Sequence, residues 1–274
     1  MLRVRVSGPN GIERGVVSSG VVVTESGRCA GALDADRLTL ADPCTLLIPL
    51  EPPEVWCAGV TYERSRDARI EESAVRDVYS LVYDAERPEL FLKDAGCRRT
   101  VGPGEAVGIR SDSAWNVPEP EIALVLGEGG EIAGVTIGND LSSREIEGAN
   151  PLYLPQAKVY AGACALGPAV LSPVPSEPFE IRMRILDASG AALYAGETST
   201  ARMKRSFEEL VEFLFRDNPV PPGSVLLTGT GLVPPDDFTL EPGHVVEIEV
   251  PGIGILSNPV VLASSLLERT AAHV

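Results

Sequence analysis

HVVEIEV (244–250) alternates apolar and polar positions with a period of two, as a strand with one wet face requires. LRVRV (2–6), GVVVTE (20–25) and FEIRMRILD (179–187) read as further strands between turns. IALVL (122–126), IAGVTIG (132–138) and SVLLTG (224–229) are apolar almost throughout, the pattern of strands covered on both faces. Helical spacing occurs twice. From Ser65 to Tyr83 apolar residues recur at Ala68, Val75, Val78, Leu81 and Val82. Ser206-Phe-Glu-Glu209 is a capping box that opens a second helix, closed by Asn218-Pro219. Turns are expected at Asp187–Gly190 and Pro251-Gly252. The 27 glycines and 23 prolines suit a turn-rich fold. These patterns predict a mostly β protein with a few helices (α+β). Residues 1–54 would form a small N-terminal β domain. The proline-rich LIPLEPPEV (47–55) would lead into a catalytic domain over 55–274.

Composition narrows the chemistry. Hydrophobic content of 44% and charged content of 23% are those of a soluble globular protein. No apolar run approaches the roughly 20 residues of a membrane helix. The N-terminus shows no basic region followed by an apolar one, so a cytoplasmic protein without a membrane partner is predicted. A formal charge of −16 would repel a phosphate backbone and excludes nucleic acid. It also demands a local positive site for any anionic substrate. The 5 cysteines have no CxxC spacing, which predicts reduced thiols. With His244 in a turn and His273 next to the C-terminus as the only histidines, a Ser-His-Asp triad, a Cys-His pair and a histidine-bound zinc are all disfavoured. Carboxylates, lysine, backbone amides and a metal remain.

VPEPEIALVL (117–126) supplies the carboxylates. Glu119 and Glu121 lie two apart at the start of a buried strand, so their side chains share a face about 6.6 Å apart along it. A short EGGE connection joins this strand to IAGVTIGND, predicting a hairpin that brings Asp140 close. Three carboxylates without histidine or cysteine form a hard-oxygen site suited to Mg2+, with Mn2+ or Ca2+ as alternatives. Spacing alone equally fits gatekeeper charges that guard a strand edge. Lys158, in the apolar setting LPQAKVYAG, either extends its head to the surface or places its ammonium near the metal. Thr228-Gly229-Thr230-Gly231 is either a plain turn or a nest of amides for an anion. On the metal reading, a divalent cation and Lys158 balance the three carboxylates.

Together PEPEIALVL, GNDLSSREIEG, LPQAKVYAG and LLTGTGLV resemble the fumarylacetoacetate hydrolase superfamily from about Trp56 to Pro259. The resemblance implies a mixed β-sandwich roll, usually a homodimer or homotetramer, with the metal on Glu119, Glu121 and Asp140 and 2-oxo acids as substrates. C–C bond hydrolases of that superfamily carry Tyr-x-x-His-x-x-Glu, whereas this chain has Tyr62 followed by Ser65 and Ala68 at the histidine and glutamate positions. The water-activating pair is absent. RPELFLK, GIRSDSAWNVPEPE and RDNPVPPGSVLLTGTG look most like the 2-keto-3-deoxy-pentonate dehydratase branch. That branch implies loss of water from a 2-oxo sugar acid to give 2,5-dioxopentanoate, with Glu89 and Lys158 catalytic. It also implies substrate contacts at Tyr62, Ser65, Lys158, Gly229 and Thr230. The alternatives are a C–C hydrolase or decarboxylase of acylpyruvate-like acids, and a non-catalytic sugar-acid binding protein. The charged segment Ser65–Asp84 is expected to act as a lid.

Overall fold

The structure is a computed structural model that describes residues 1–9, 11–27, 30–34, 36–63 and 81–271. Its first five strands, β1 (Leu2–Gly8), β2 (Gly11–Ser18), β3 (Val21–Thr24), β4 (Ala30–Asp34) and β5 (Arg37–Leu40), form an antiparallel meander. Short β6 (Thr45–Leu46) returns to pair with β1. Then follow β7 (Glu54–Gly59), β8 (Glu89–Ala95), β9 (Thr100–Val101), β10 (Val107–Ile109), β11 (Asn116–Val117), β12 (Pro120–Leu126), β13 (Ile132–Asp140) and β14 (Ser142–Ser143). Helices α1 (Arg144–Ala149) and α2 (Leu154–Lys158) precede β15 (Cys164–Leu171), β16 (Glu180–Leu186) and β17 (Ala192–Ser199). Helix α3 (Phe207–Phe215), β18 (Val225–Leu227), β19 (Val245–Val250), β20 (Gly254–Leu262) and α4 (Ala263–Ala271) complete the chain. The mostly β expectation holds, and the arrangement is the mixed β roll that the resemblance implies. No helix among the described residues is long and apolar enough to cross a membrane.

A 13-stranded sheet runs in the order β5-β4-β3-β2-β1-β15-β13-β12-β18-β7-β8, with β6 paired to β1 and β9 to β15, and a five-stranded sheet runs β10-β20-β19-β16-β17. Period-two alternation decides what each face buries. Ile122, Leu124 and Leu126 of β12 pack with Ile181, Met183 and Ile248 of the smaller sheet in the main core. Ala123 and Val125 point the other way, into a second cluster with Cys57, Leu166 and Leu227, covered by Ile48 and Leu50. The first strands are continuous with this scaffold, because Leu2 and Arg3 of β1 pair with Leu171 and Val170 of β15.

Local signals explain several boundaries. The Ser206 hydroxyl accepts the Glu209 amide, so the capping box opens α3 as expected. The helix stops at Phe215, ahead of Asn218-Pro219, where Asp217 takes φ +60°. The polar face of β19 carries buried Glu247 and half-buried Glu249, which ion-pair with Arg184 (2.6 Å) and Arg182 (2.7 Å) directly across on β16. Among the cysteines, Cys57, Cys97 and Cys164 are free, but Cys44 is disulfide-bonded, which corrects the expectation of reduced thiols throughout. The predicted helix and lid, from Ser65 onward, fall mostly outside the described residues.

Candidate active site

β12 and β13 form the expected antiparallel hairpin, with Pro120 opposite Asn139 and Glu121 opposite Gly138. The Asp140 amide donates to the Glu119 carbonyl at 3.0 Å, which closes the open end of the hairpin. Parity sets Glu119 and Glu121 on the face that carries Ala123 and Val125, away from the smaller sheet. Glu119, Glu121 and Asp140 are all buried. Each offers an oxygen within 4.8 Å of the other two. Burial rules out a solvated gatekeeper role for the ExE pair.

Cations surround two of the three. Lys158 ends α2 and is buried, so its head does not reach the surface. Its ammonium lies between Glu119 and Asp140, hydrogen-bonded to both, with 2.8 Å to Asp140 Oδ2. Arg144, the first residue of α1, donates from Nη2 to Glu119 Oε1 at 2.8 Å. Lys93 of β8 pairs with Asp140 Oδ1 and donates to the Leu141 carbonyl at 2.9 Å. Glu121 differs. Among the described residues it has no ion-pair partner, and it accepts the Gly229 amide at 2.6 Å. Burial, then the neighbouring Asp140 and Glu119 charges, push its carboxyl well above the ordinary carboxylate range.

Glu89, at the start of β8, is half-buried and lines the same cleft as Glu119, Glu121, Asp140 and Lys158. Its position depends on Gly59, its direct partner on β7. A Cβ on Gly59 would collide with the Glu89 carboxylate. Gly229 and Thr230 also line the cleft, just beyond β18. Tyr62 is buried, its hydroxyl has no hydrogen-bond partner among the described residues, and burial followed by the Glu121 charge raises its pKa. Ser65 lies outside the described residues.

Three residues that sequence reasoning did not single out belong to the cleft or its wall: Lys93, Arg144 and buried Glu147. Their addition changes the charge balance expected from three carboxylates, one cation and Lys158. Among the described residues five carboxylates (Glu89, Glu119, Glu121, Asp140, Glu147) face three cations (Lys93, Lys158, Arg144). The excess is two negative charges, which a divalent cation would cancel. An all-oxygen donor set with one desolvated carboxylate lacking an ion pair fits magnesium or another hard cation.

Residues 54–261 match the family described as fumarylacetoacetate (FAA) hydrolase C-terminal. A probable 2-keto-3-deoxyxylonate dehydratase of Haloferax volcanii is 52% identical over 215 residues, which cover 78% of this chain and 74% of the relative. A 2-dehydro-3-deoxy-D-arabinonate dehydratase of Saccharolobus solfataricus is 45% identical over 219 residues, covering 77% and 73%. A solved 2-keto-3-deoxy-D-arabinonate dehydratase complexed with magnesium and 2,5-dioxopentanoate superposes with a TM-score of 0.79 at 34% identity, covering 95% of this chain and 98% of that chain.

Proposed function

This chain belongs to the fumarylacetoacetate hydrolase family, and from that premise we propose that it is a magnesium-dependent dehydratase of a 2-keto-3-deoxy sugar acid. The substrate is a 2-dehydro-3-deoxy-D-pentonate and the products are 2,5-dioxopentanoate and water. The observation that carries the reading is the buried Glu119–Glu121–Asp140 group with the Lys158 ammonium lodged in it, in a chain that lacks the histidine of the hydrolases at Ser65. The named activities of the two relatives and of the superposed structure support it.

In this proposal Glu119, Glu121 and Asp140 hold the metal, and Lys93 and Arg144 fix the orientation of Asp140 and Glu119. Bound there, magnesium supplies the Lewis acid that withdraws electrons from a 2-oxo carboxylate and acidifies its C3 proton. Glu89, anchored at the strand end beside Gly59, takes that proton as general base. Lys158, whose ammonium donates to Glu119 and Asp140, acts as the acid. It delivers a proton to the departing C4 hydroxyl, which leaves as water, and tautomerisation converts the C5 hydroxymethyl to the aldehyde. Gly229 and Thr230, with Tyr62 and Ser65, complete the substrate contacts. No step needs an activated water, so the missing histidine costs nothing.

The division into 1–54 and 55–274 remains part of the proposal. It is supported by an apolar cluster of Leu2, Val4, Val6, Val22 and Leu38 under the first strands, closed from the other side by Ala169 of β15, and by the family match that begins at residue 54. A homodimeric or homotetrameric assembly and a cytoplasmic location complete it. The deciding experiment incubates purified protein and magnesium with a panel of 2-keto-3-deoxy acids and acylpyruvates. Release of 2,5-dioxopentanoate is the expected result. Pyruvate release from acylpyruvates, with the deoxy acids untouched, would reject the dehydratase in favour of a hydrolase.

A further inference from the structure

Beyond β7 the backbone makes a turn that a valine rarely accepts. Val60 is buried with φ +52°, a left-handed conformation that is an outlier for a β-branched side chain. Such outliers persist where surrounding contacts over-determine them, and they concentrate at functional sites. The turn drives the next residue, fully buried Thr61, toward the end of β18. There the Thr61 hydroxyl donates to the Thr228 carbonyl at 2.7 Å. Thr228 is held from its other side as well, because its amide (3.0 Å) and its hydroxyl (2.9 Å) both donate to the Ile122 carbonyl of β12.

The residue after this doubly held Thr228 is Gly229, at φ +91°, whose amide donates to Glu121. The fit is close, since a Cβ on Gly229 would collide with Thr61 Oγ1 and lie 3.0 Å from the Ala58 carbonyl. Thr61 is anchored in turn by its own carbonyl, which accepts the Lys204 amide at 2.9 Å. An unbroken chain of hydrogen bonds thus runs from the strained turn through Thr61, Thr228 and Gly229 to the one carboxylate of the group without an ion pair among the described residues.

We propose that Thr61 is a positioning residue of the metal centre: by locking the Thr228 carbonyl, its hydroxyl aims the Gly229 amide at Glu121 and so fixes that carboxylate toward Glu119 and Asp140. The inference rests on reading these three carboxylates as metal ligands, and it is independent of which reaction follows. Without the bond, the Thr228–Gly229 peptide loses one of its two anchors, and Glu121 must be ordered by the metal itself.

Thr61→Val keeps the shape and removes the hydroxyl, whereas Thr61→Ser keeps the hydroxyl. The measurements are manganese affinity by electron paramagnetic resonance and exchange of the Gly229 amide by NMR, both on the purified full chain without substrate. The expected result is a manganese Kd about three- to tenfold weaker in Thr61→Val, the scale of one net hydrogen bond, with faster Gly229 exchange. Thr61→Ser should return both to within about twofold of wild type. Wild-type affinity in Thr61→Val overturns the proposal, and so does equal weakening in Thr61→Ser, which would assign the effect to the methyl group. Should Thr61→Val not fold, Thr61→Ala carries the same expectation. Rapid exchange of the Gly229 amide in the wild-type metal-free protein overturns the proposal without any variant. If the wild type binds no manganese, the ligand reading itself fails. If it binds manganese with these responses but turns over no deoxy acid, only the dehydratase reading falls.

Discussion

Glu121→Gln should make the metal-free protein more stable and the magnesium-loaded protein less stable than wild type, so that their melting temperatures change order with chelator. Glu121 is buried, faces Asp140 and Glu119, and has no ion-pair partner among the described residues. Its raised carboxyl pKa expresses the same cost. Glutamine keeps an oxygen to accept the Gly229 amide while removing the like charge. Replacing buried ion pairs by neutral groups of similar volume is neutral or stabilising by about 1–4 kcal/mol, and a carboxylate facing two like charges without an ion pair belongs at the stabilising end. At about 2 °C per kcal/mol for a chain of this size, melting in EDTA should rise by about 2–8 °C. The sign with pH follows from linkage. A carboxyl raised on folding costs nothing while both states are protonated, and its cost grows as the unfolded carboxyl ionises above about pH 4.3. The advantage of Gln should therefore vanish near pH 4 and grow as the pH is raised toward 7. Magnesium at a hundredfold excess over Kd adds about 2.7 kcal/mol to the wild type, and the variant should lose most of that increment. Differential scanning fluorimetry in EDTA and in magnesium, at pH 4 and pH 7, reads all four values. A Gln variant that melts below wild type in EDTA at pH 7, or keeps the full magnesium shift, would refute the reasoning.

Glu89→Gln should retain magnesium affinity by calorimetry yet lose about 10²–10⁴-fold in turnover, the scale of one general acid–base group; loss of affinity instead would make it a ligand. Ser206→Ala removes the cap whose hydroxyl accepts the Glu209 amide and should cost about 1 kcal/mol of stability in urea unfolding with no change in turnover. Burial, then Asp94, pushes the Cys97 thiol up to about 11, so its alkylation should speed up about tenfold per pH unit between pH 8 and 10. Burial raises the thiols of Cys57 and Cys164 as well, and peptide mapping of the folded protein should find both unmodified.

Local chemistry made part of this legible in sequence. Period two fixed the shared face of Glu119 and Glu121, and the EGGE turn brought Asp140 beside them, because a hairpin converts sequence proximity into spatial proximity. Ser206 and Glu209 announced their helix through the capping box. Lys93 was not legible: its strand, ELFLKDA, gives no sign that residue 93 meets residue 140, a pairing made only when β8 and β13 are built into one sheet. Arg144 and Glu147 lie inside GNDLSSREIEG, but nothing in their spacing says that α1 faces the carboxylates. Thr61 was equally silent, since its partner Thr228 is 167 residues away. The continuation of the first strands onto β15 likewise depends on the pairing of Leu2 with Leu171, a contact between the ends of distant segments.

The register of β12 and β13 shifts between Val125 and Leu126, between the tight Glu128–Gly130 turn and the carboxylates. A β-bulge takes up an extra residue locally, so changes in the length of that turn are absorbed before they reach Glu121. On the far side of the bulge there is no such tolerance. A slip of one residue there would turn Glu119 and Glu121 into the apolar core and bring Pro120 and Ile122 round to face Lys158. The hairpin therefore divides into a tip that tolerates a change of length and a base in which every position is counted.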